Sequence, residues 1–179
     1  MFHSNTELLI DRWQAQALPN GVPARAALDL APFARLAPQL FVIGRQPAGR
    51  FPFRLAGEFV RELHGRRLAG EDAMALFTLS GRIDLRPALE AARRGRTTLV
   101  ALVKGRTLAG ESLDLELTFA PLSGPGGAID RFLGLYQPTT PVARLRGDAV
   151  RELALVSLHA GETDTPRLRL AALDGRRIA

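Results

Sequence analysis

The sequence predicts an α+β fold, with a five-stranded antiparallel sheet that carries short helices on one side and a flanking helix at its N-terminus. Two strand-like segments precede a run of short helical segments, and three strand-like segments follow it. An apolar share of 46% suits a globular core, and 179 residues favour one domain. We divide the chain into an N-terminal helical flank (1–38), a sheet-and-helix core (39–138) and a C-terminal appendage of uncertain order (139–179).

The flank contains two predicted helices. In the first, Leu9, Trp13 and Ala17 share one helical face. The second runs from 30 to about 37, and Pro38 ends it because proline lacks the amide hydrogen that a helix needs.

The first two strands form a predicted hairpin over 40–43 and 51–56. In the second strand, strict alternation would place Phe53 and Leu55 on one side and Arg54 on the other. Pro52 cannot donate a hydrogen bond to a neighbouring strand, so this strand is expected at an edge of the sheet.

Helical spacing then extends over 57–64, 71–77 and 84–94, and in the last segment Leu85, Leu89 and Ala92 share one face. Gly65 is well placed to end the first of these helices in the left-handed conformation, and Gly95 follows the last.

The remaining predicted strands are 97–103, 111–119 and 132–136. The middle one alternates without a break, which directs its leucines and Phe119 to a core. In the appendage, 153–159 fits a strand or a helix, and 167–173 alternates weakly.

One pentapeptide recurs. Arg-Leu-Ala-Gly-Glu occupies 54–58 and 67–71, and a near-copy occupies 107–111. The spacing has no fixed period, so the copies do not indicate a solenoid repeat. We interpret the first two as helix entrances and the third as a hairpin exit.

Composition limits the possible functions. The net charge is +6, but the arginines are dispersed among acidic residues, and this dispersion disfavours a nucleic-acid partner. No secretory signal and no apolar run long enough for a membrane span is present, and we expect a cytoplasmic protein without membrane contact. There is no cysteine, which excludes thiol chemistry.

No catalytic or metal-binding residues are predicted. The three histidines match no metal-ligand spacing, and no nucleophile or phosphate-loop motif occurs. Glu58 and Glu62 are paired at helical spacing beside arginines, which fits a solvated charged face. A small thioesterase-like enzyme using Glu58 or Asp72 is the alternative, although such a fold wraps its sheet around one long helix. A regulator that acts on nucleic acid through its arginines is a further alternative.

The segment Phe53-Arg-Leu-Ala-Gly57, followed by Leu63-His-Gly-Arg-Arg-Leu-Ala-Gly70, resembles the signature of small bacterial single-domain PAS proteins of the PAS_5 type. Trp13, the segment 38–43, the segment 115–122 and Arg131-Phe-Leu-Gly134 also resemble that family. The resemblance extends over roughly residues 5–138. It implies a PAS-like sheet and a non-catalytic sensory or regulatory module of signal transduction, which binds a small molecule or a protein partner.

PAS domains hold haem, flavin or small acids between the sheet and the helices. Covalent flavin photochemistry uses a cysteine and is therefore excluded, and His64 is the one credible axial ligand for haem. The cofactor, if any, is unknown. An apolar or amphipathic ligand would contact the residues predicted to face inward: Phe53, Leu55, Phe59, Leu63, His64, Phe77, Leu99, Ala101, Leu115, Leu117, Leu133 and Leu135. Because nearly all of these are apolar, a filled core is an equal alternative. The alternative for His64 is a charged histidine that favours the C-terminus of its helix.

Arg54 and the leading helix carry two further predictions. Arg54 either pairs with Glu7 or Asp11, in which case Arg54→Ala costs about 1–3 kcal/mol of stability, or binds an anion. The apolar face of the leading helix, which includes Leu8, either forms a homodimer or packs on its own sheet.

Overall fold

A computed structural model describes residues 1–161 as a six-stranded antiparallel sheet with helices on both faces. The elements are α1 (Ser4–Ala15), β1 (Leu40–Gly44), β2 (Phe53–Ala56), α2 (Glu58–His64), α3 (Leu79–Gly95), β3 (Leu99–Arg106), β4 (Ser112–Ser123), β5 (Ile129–Pro138) and β6 (Glu152–Ala160). Short 3-10 helices connect them at Arg25–Ala27, Ala31–Gln39, Pro47–Gly49, Ala73–Leu76, Pro125–Gly127 and Val142–Leu145. Within the described residues, no helix is long and apolar enough to cross a membrane.

The strand order is β2-β1-β5-β4-β3-β6, and every neighbouring pair is antiparallel. The expected edge position of β2 is confirmed. The sheet has one strand more than predicted, because 153–159 forms β6 and pairs with β3 along its whole length. The segment 167–173 lies outside the described residues.

One face of the sheet, which we call the inner face, is covered by α2, α3 and the 3-10 helix Ala73–Leu76. The alternation of β4 is confirmed here, since its leucines 113, 115 and 117 and Phe119 are all buried in this core. Helix α3 adds Leu85 and Leu89, both fully buried. Burial of these apolar side chains is the main stabilisation of the fold.

The opposite face, which we call the outer face, is covered by α1 and the 3-10 helix Ala31–Gln39. Leu9 and Trp13 of α1 are buried there together with Leu122 of β4. The indole Nε1 of Trp13 donates a hydrogen bond of 2.8 Å to the carbonyl oxygen of Pro121. Trp13 therefore fixes α1 on the sheet by burial and by a satisfied polar group.

Helix α3 begins five residues before the predicted position of Asp84. The Thr78 side chain caps it by accepting a hydrogen bond from the Gly81 amide. The helix ends at Arg96, which adopts the left-handed conformation with φ of 56°, whereas Gly95 remains within the helix. The sequence pattern therefore located the apolar face of this helix but not its ends.

Candidate functional site

Most of the predicted pocket residues lie where they were expected, on the inner side of the sheet. These are Phe53, Phe59, Leu63, His64, Phe77, Leu99, Ala101, Leu115 and Leu117. They belong to β2, α2, β3 and β4 and to the segment that precedes α3, and together they lie between the sheet and the helices.

Leu55 does not belong to this group, and its predicted inward orientation is wrong. Val42 of β1 pairs with Leu55, but Ile43 pairs with Phe53, so Arg54 is the extra residue of a β-bulge. A bulge breaks the two-residue alternation of a strand. Leu55 consequently turns to the outer face, where it is 51% exposed.

Leu133 and Leu135 were also predicted to face inward, and the structure places both on the outer face. Strand β5 is covered by helices on both sides, so its central residues from Phe132 to Tyr136 are all apolar or aromatic and their alternation cannot be phased from sequence. The inward residues of this strand are Phe132 and Tyr136. Tyr136 is a site residue that the sequence analysis missed.

The centre of the inner face is filled by an aromatic cluster around Phe41 of β1. Its ring centroid lies 5.9 Å from that of Phe53, 5.6 Å from that of Phe119 and 5.3 Å from that of Tyr136, each in edge-to-face geometry. All four side chains are at most 2% exposed. The aromatic rings thus occupy the space between the middle strands and the helices.

His64 extends this cluster and connects three parts of the chain. It is the last residue of α2 and only 1% exposed. Its Nδ1 lies 3.0 Å from the carbonyl oxygen of Val150, and its Nε2 lies 3.2 Å from the hydroxyl of Tyr136. A carbonyl can only accept, so Nδ1 carries the proton and Tyr136 donates to Nε2. One imidazole therefore joins α2 to β5 and to the segment that leads into β6.

Burial determines the charge of His64. Desolvation lowers the pKa of His64 to about 4, with smaller contributions from the positive charges of Arg66 and Arg151. The hydrogen bond to Val150 acts in the opposite direction but does not offset burial. Burial also raises the pKa of Tyr136. The alternative interpretation of His64 as a charged helix-terminal histidine is wrong, because the ring is neutral at pH 7.

Arg54 lies on the outer face and is exposed. Among residues 1–161, no carboxylate lies within 4 Å of its guanidinium, so the predicted pairing with Glu7 or Asp11 is wrong. Its Nε instead lies over Gly44, 2.9 Å from the point that a Cβ would occupy. The Nη1 of Arg131 lies 3.0 Å from the same point. Two guanidinium groups thus converge over a residue without a side chain.

The predicted dimer face of α1 is largely covered within the chain. Leu9 and Trp13 are buried, Leu8 is partly buried, and only Ala17 is exposed, beyond the end of the helix. This is the arrangement expected if the helix packs on its own sheet.

A cavity of about 780 Å³ opens beside α2, on the side of the helix that faces away from the aromatic cluster. Glu58, Arg61 and Glu62 of α2 line it, together with the turn that follows the helix. Val60, Leu63 and His64 of the same helix are buried in the core. Helix α2 therefore contacts the interior with one face and the cavity with the other.

A family model for the PAS domain (PAS_5) matches residues 1–137. The chain belongs to the PAS domain family. The matched region includes α1 and the strands from β1 to all but the last residue of β5, and β6 lies outside it.

Solved structures similar to this PAS domain include light-oxygen-voltage (LOV) proteins. The LOV protein of Rhodobacter sphaeroides is 16% identical, with 81% of this chain and 72% of that chain covered and a TM-score of 0.49. An RNA-binding light-oxygen-voltage receptor is 20% identical, with 73% and 38% covered and a TM-score of 0.48. The blue-light photoreceptor Aureochrome1 LOV is 16% identical, with 65% and 86% covered and a TM-score of 0.47. No curated protein matches the chain.

Close contacts explain why two positions of the PAS signature are glycine. A Cβ on Gly134 would lie 2.0 Å from the ring of Phe41, so the aromatic cluster needs a glycine below it. A Cβ on Gly57 would lie 2.2 Å from the carbonyl oxygen of Pro38. Gly57 has φ of −61°, so close approach of the backbone, rather than conformational freedom, requires glycine at this position.

The residues of this PAS domain do not fit a haem held by His64. An axial ligand needs a free ring nitrogen, but both nitrogens of His64 are engaged by Val150 and Tyr136. The ring would have to leave both partners and rotate out of the packed aromatic cluster.

Proposed function

We propose that this PAS domain is a non-catalytic sensory or regulatory module of cytoplasmic signal transduction, which binds a small molecule or a protein partner. The observation that carries the proposal is the position of His64. A module that transmits a signal needs an element that contacts both the site of binding and the parts of the chain that respond. Helix α2 meets this need, because its outward side lines a cavity and His64 contacts β5 and the segment before β6.

A small molecule has two possible locations. An apolar or amphipathic ligand between the sheet and the helices would have to displace tightly packed rings such as Phe41 and Tyr136, at the cost of their mutual contacts. A polar ligand in the cavity beside α2 would require no such rearrangement. The geometry therefore favours the cavity, and the interior site for an apolar ligand is the second choice.

A protein partner could bind at two exposed surfaces, the polar side of α1 and the outer face around Gly44. A homodimer through α1 would use its exposed polar side, which includes Asp11 and Arg12, or would require release of Trp13 from the sheet. Arg54, over Gly44, forms a proposed contact for an acidic group of such a partner. The neighbouring Arg131 is already engaged by Asp130, to whose carbonyl its Nη1 donates and from whose carboxylate it lies 3.3 Å.

The absence of catalysis is part of the proposal. Asp72, a candidate of the enzyme alternative, accepts hydrogen bonds from the amides of Phe51 and Met74 and caps the following 3-10 helix. Its carboxylate therefore has a structural role. Glu58 lies on the exposed side of α2 without a neighbouring nucleophile or histidine in the cavity lining.

Native mass spectrometry of the freshly purified chain tests the proposal, because it reports the bound ligand and the oligomeric state together. A thermal-shift screen with fatty acids, quinones, haem and small polar anions follows. We expect binding of at least one of these classes or a specific protein complex. A monomer that carries no ligand, shifts with no probe and forms no complex with any protein of its own cell would contradict a sensory role.

A further inference from the structure

The second copy of Arg-Leu-Ala-Gly-Glu, at 67–71, lies against the strand residue that immediately precedes the first copy, at 54–58. The Phe53 amide donates a 2.8 Å hydrogen bond to the carbonyl of Glu71, and the Gly70 amide donates one of 2.9 Å to the carbonyl of Phe53. The end of the second copy thus pairs with Phe53 at the edge of β2, one residue before the first copy begins. The interpretation of the two copies as separate helix entrances missed this proximity.

Both copies line the 780 Å³ cavity beside α2. The first contributes Ala56, and the second contributes Leu68 and Ala69, which together form an apolar patch of the lining. Leu68 is fully buried in the core below. The wall is therefore anchored to the interior, and the volume lies within the range of pockets for small organic molecules.

The charged lining of the cavity is predominantly basic. Three arginines, Arg61, Arg66 and Arg67, line it together with two glutamates, Glu58 and Glu62. Within the described part of the chain, no carboxylate lies within 4 Å of the guanidinium of Arg61 or Arg67, and Arg66 has only an exposed contact of 3.8 Å with Glu71. Exposed pairs of this length contribute little stability, so the guanidinium groups remain available.

The backbone of the second copy adds hydrogen-bond donors. The amides of Arg67, Leu68 and Ala69 have no acceptor among residues 1–161. Successive free amides beside arginine side chains are a recurrent arrangement for binding anionic oxygens.

We propose that this cavity binds a small organic anion. Its carboxylate or phosphate group contacts Arg61, Arg66 and Arg67, and its hydroxyl or ammonium groups face Glu58 and Glu62. The biological meaning of this site rests on the proposed sensory function, but binding itself is measurable without it.

Isothermal titration calorimetry at constant ionic strength tests the site with three probes. Citrate presents carboxylates, ribose 5-phosphate presents a phosphate with hydroxyls, and pyrophosphate presents phosphates alone. We expect at least one probe to bind the wild-type chain. Arg61→Ala and Arg67→Ala should each weaken that binding about tenfold or more, the usual effect of losing a charged hydrogen bond. Glu62→Gln should strengthen the binding of pyrophosphate, which has no hydroxyl or ammonium group to donate to Glu62, because the substitution removes a repelling charge.

The matched control is Arg106→Ala, which removes one exposed arginine at the end of β3, outside the cavity lining. Its affinity should stay within about twofold of wild type, since this substitution leaves every side chain of the cavity lining in place. The proposal is overturned if no probe binds, or if Arg106→Ala weakens binding as much as the cavity variants do. If no probe binds but native mass spectrometry shows a specific complex with a protein partner, the anion site is refuted and the proposed sensory function stands.

Discussion

Replacing His64 with glutamine should remove a large part of the acid sensitivity of the fold. In the native state the pKa of His64 is lowered to about 4 by burial, whereas its ordinary value is 6.5. Below pH 6.5 the unfolded chain takes up a proton at this residue, and the native chain does not until the pH approaches 4. The native state is therefore favoured fully above pH 6.5 and loses this contribution as the pH falls towards 4.

The magnitude follows from the two pKa values. Each pH unit between them changes the free energy of unfolding by about 1.4 kcal/mol. Lowering the pH from 7 to 5 should therefore reduce the free energy of unfolding by about 2 kcal/mol through His64 alone. Other groups also titrate, and for this reason the difference between variants is the quantity to measure. Glutamine keeps a polar side chain near Val150 and Tyr136 but does not titrate.

Urea denaturation of wild type and His64→Gln at pH 7 and pH 5 provides the assay. Between pH 7 and pH 5, the free energy of unfolding of the wild type should fall by about 2 kcal/mol more than that of the variant. His159→Gln, which replaces an exposed histidine on β6, is the matched control and should behave as wild type does. Equal losses in wild type and His64→Gln would refute the neutral, buried state of His64.

Three other substitutions test the packing. Gly134→Ala should lower the free energy of unfolding by about 1–3 kcal/mol through overpacking, and Phe41→Leu in the same chain should recover part of that loss, as measured by a double-mutant cycle. Trp13→Phe should cost about 1–3 kcal/mol in the same assay, because the carbonyl of Pro121 loses its donor; an unchanged midpoint would show that α1 is not docked as described. Arg54→Ala should change stability by less than about 0.5 kcal/mol, since its side chain is exposed without a carboxylate partner within residues 1–161, and a larger loss would reveal an ion pair.

The sole tryptophan makes docking of α1 directly observable. Trp13 is buried against the sheet, so its fluorescence emission should shift to longer wavelength if a partner or a second copy releases α1. Light scattering on the same samples reports the oligomeric state. A dimer formed without an emission shift would place the interface on the exposed side of α1 or elsewhere.

The spacing of apolar and polar residues predicted correctly those elements that bury one face and expose the other to solvent. The alternation of β4 and the apolar stripe of α3 are such cases, and both are confirmed. The same spacing assigned side chains to the wrong face where both faces of a strand are covered or where a bulge interrupts the alternation. Strand β5 is apolar on both sides, so Leu133 and Leu135 were given the wrong face, and the bulge at Arg54 reversed the orientation of Leu55.

The sequence by itself determined the α+β class, the edge position of β2 and the PAS relationship, because these depend on the order of elements, on proline chemistry and on short motifs. Only the tertiary structure decided what the motifs do. The pairing of β2 with the loop before Ala73 brings the two pentapeptides to one cavity, and the burial of His64 makes its ring neutral. Proximity and desolvation arise from contacts between residues far apart in the chain, and no local pattern carries that information.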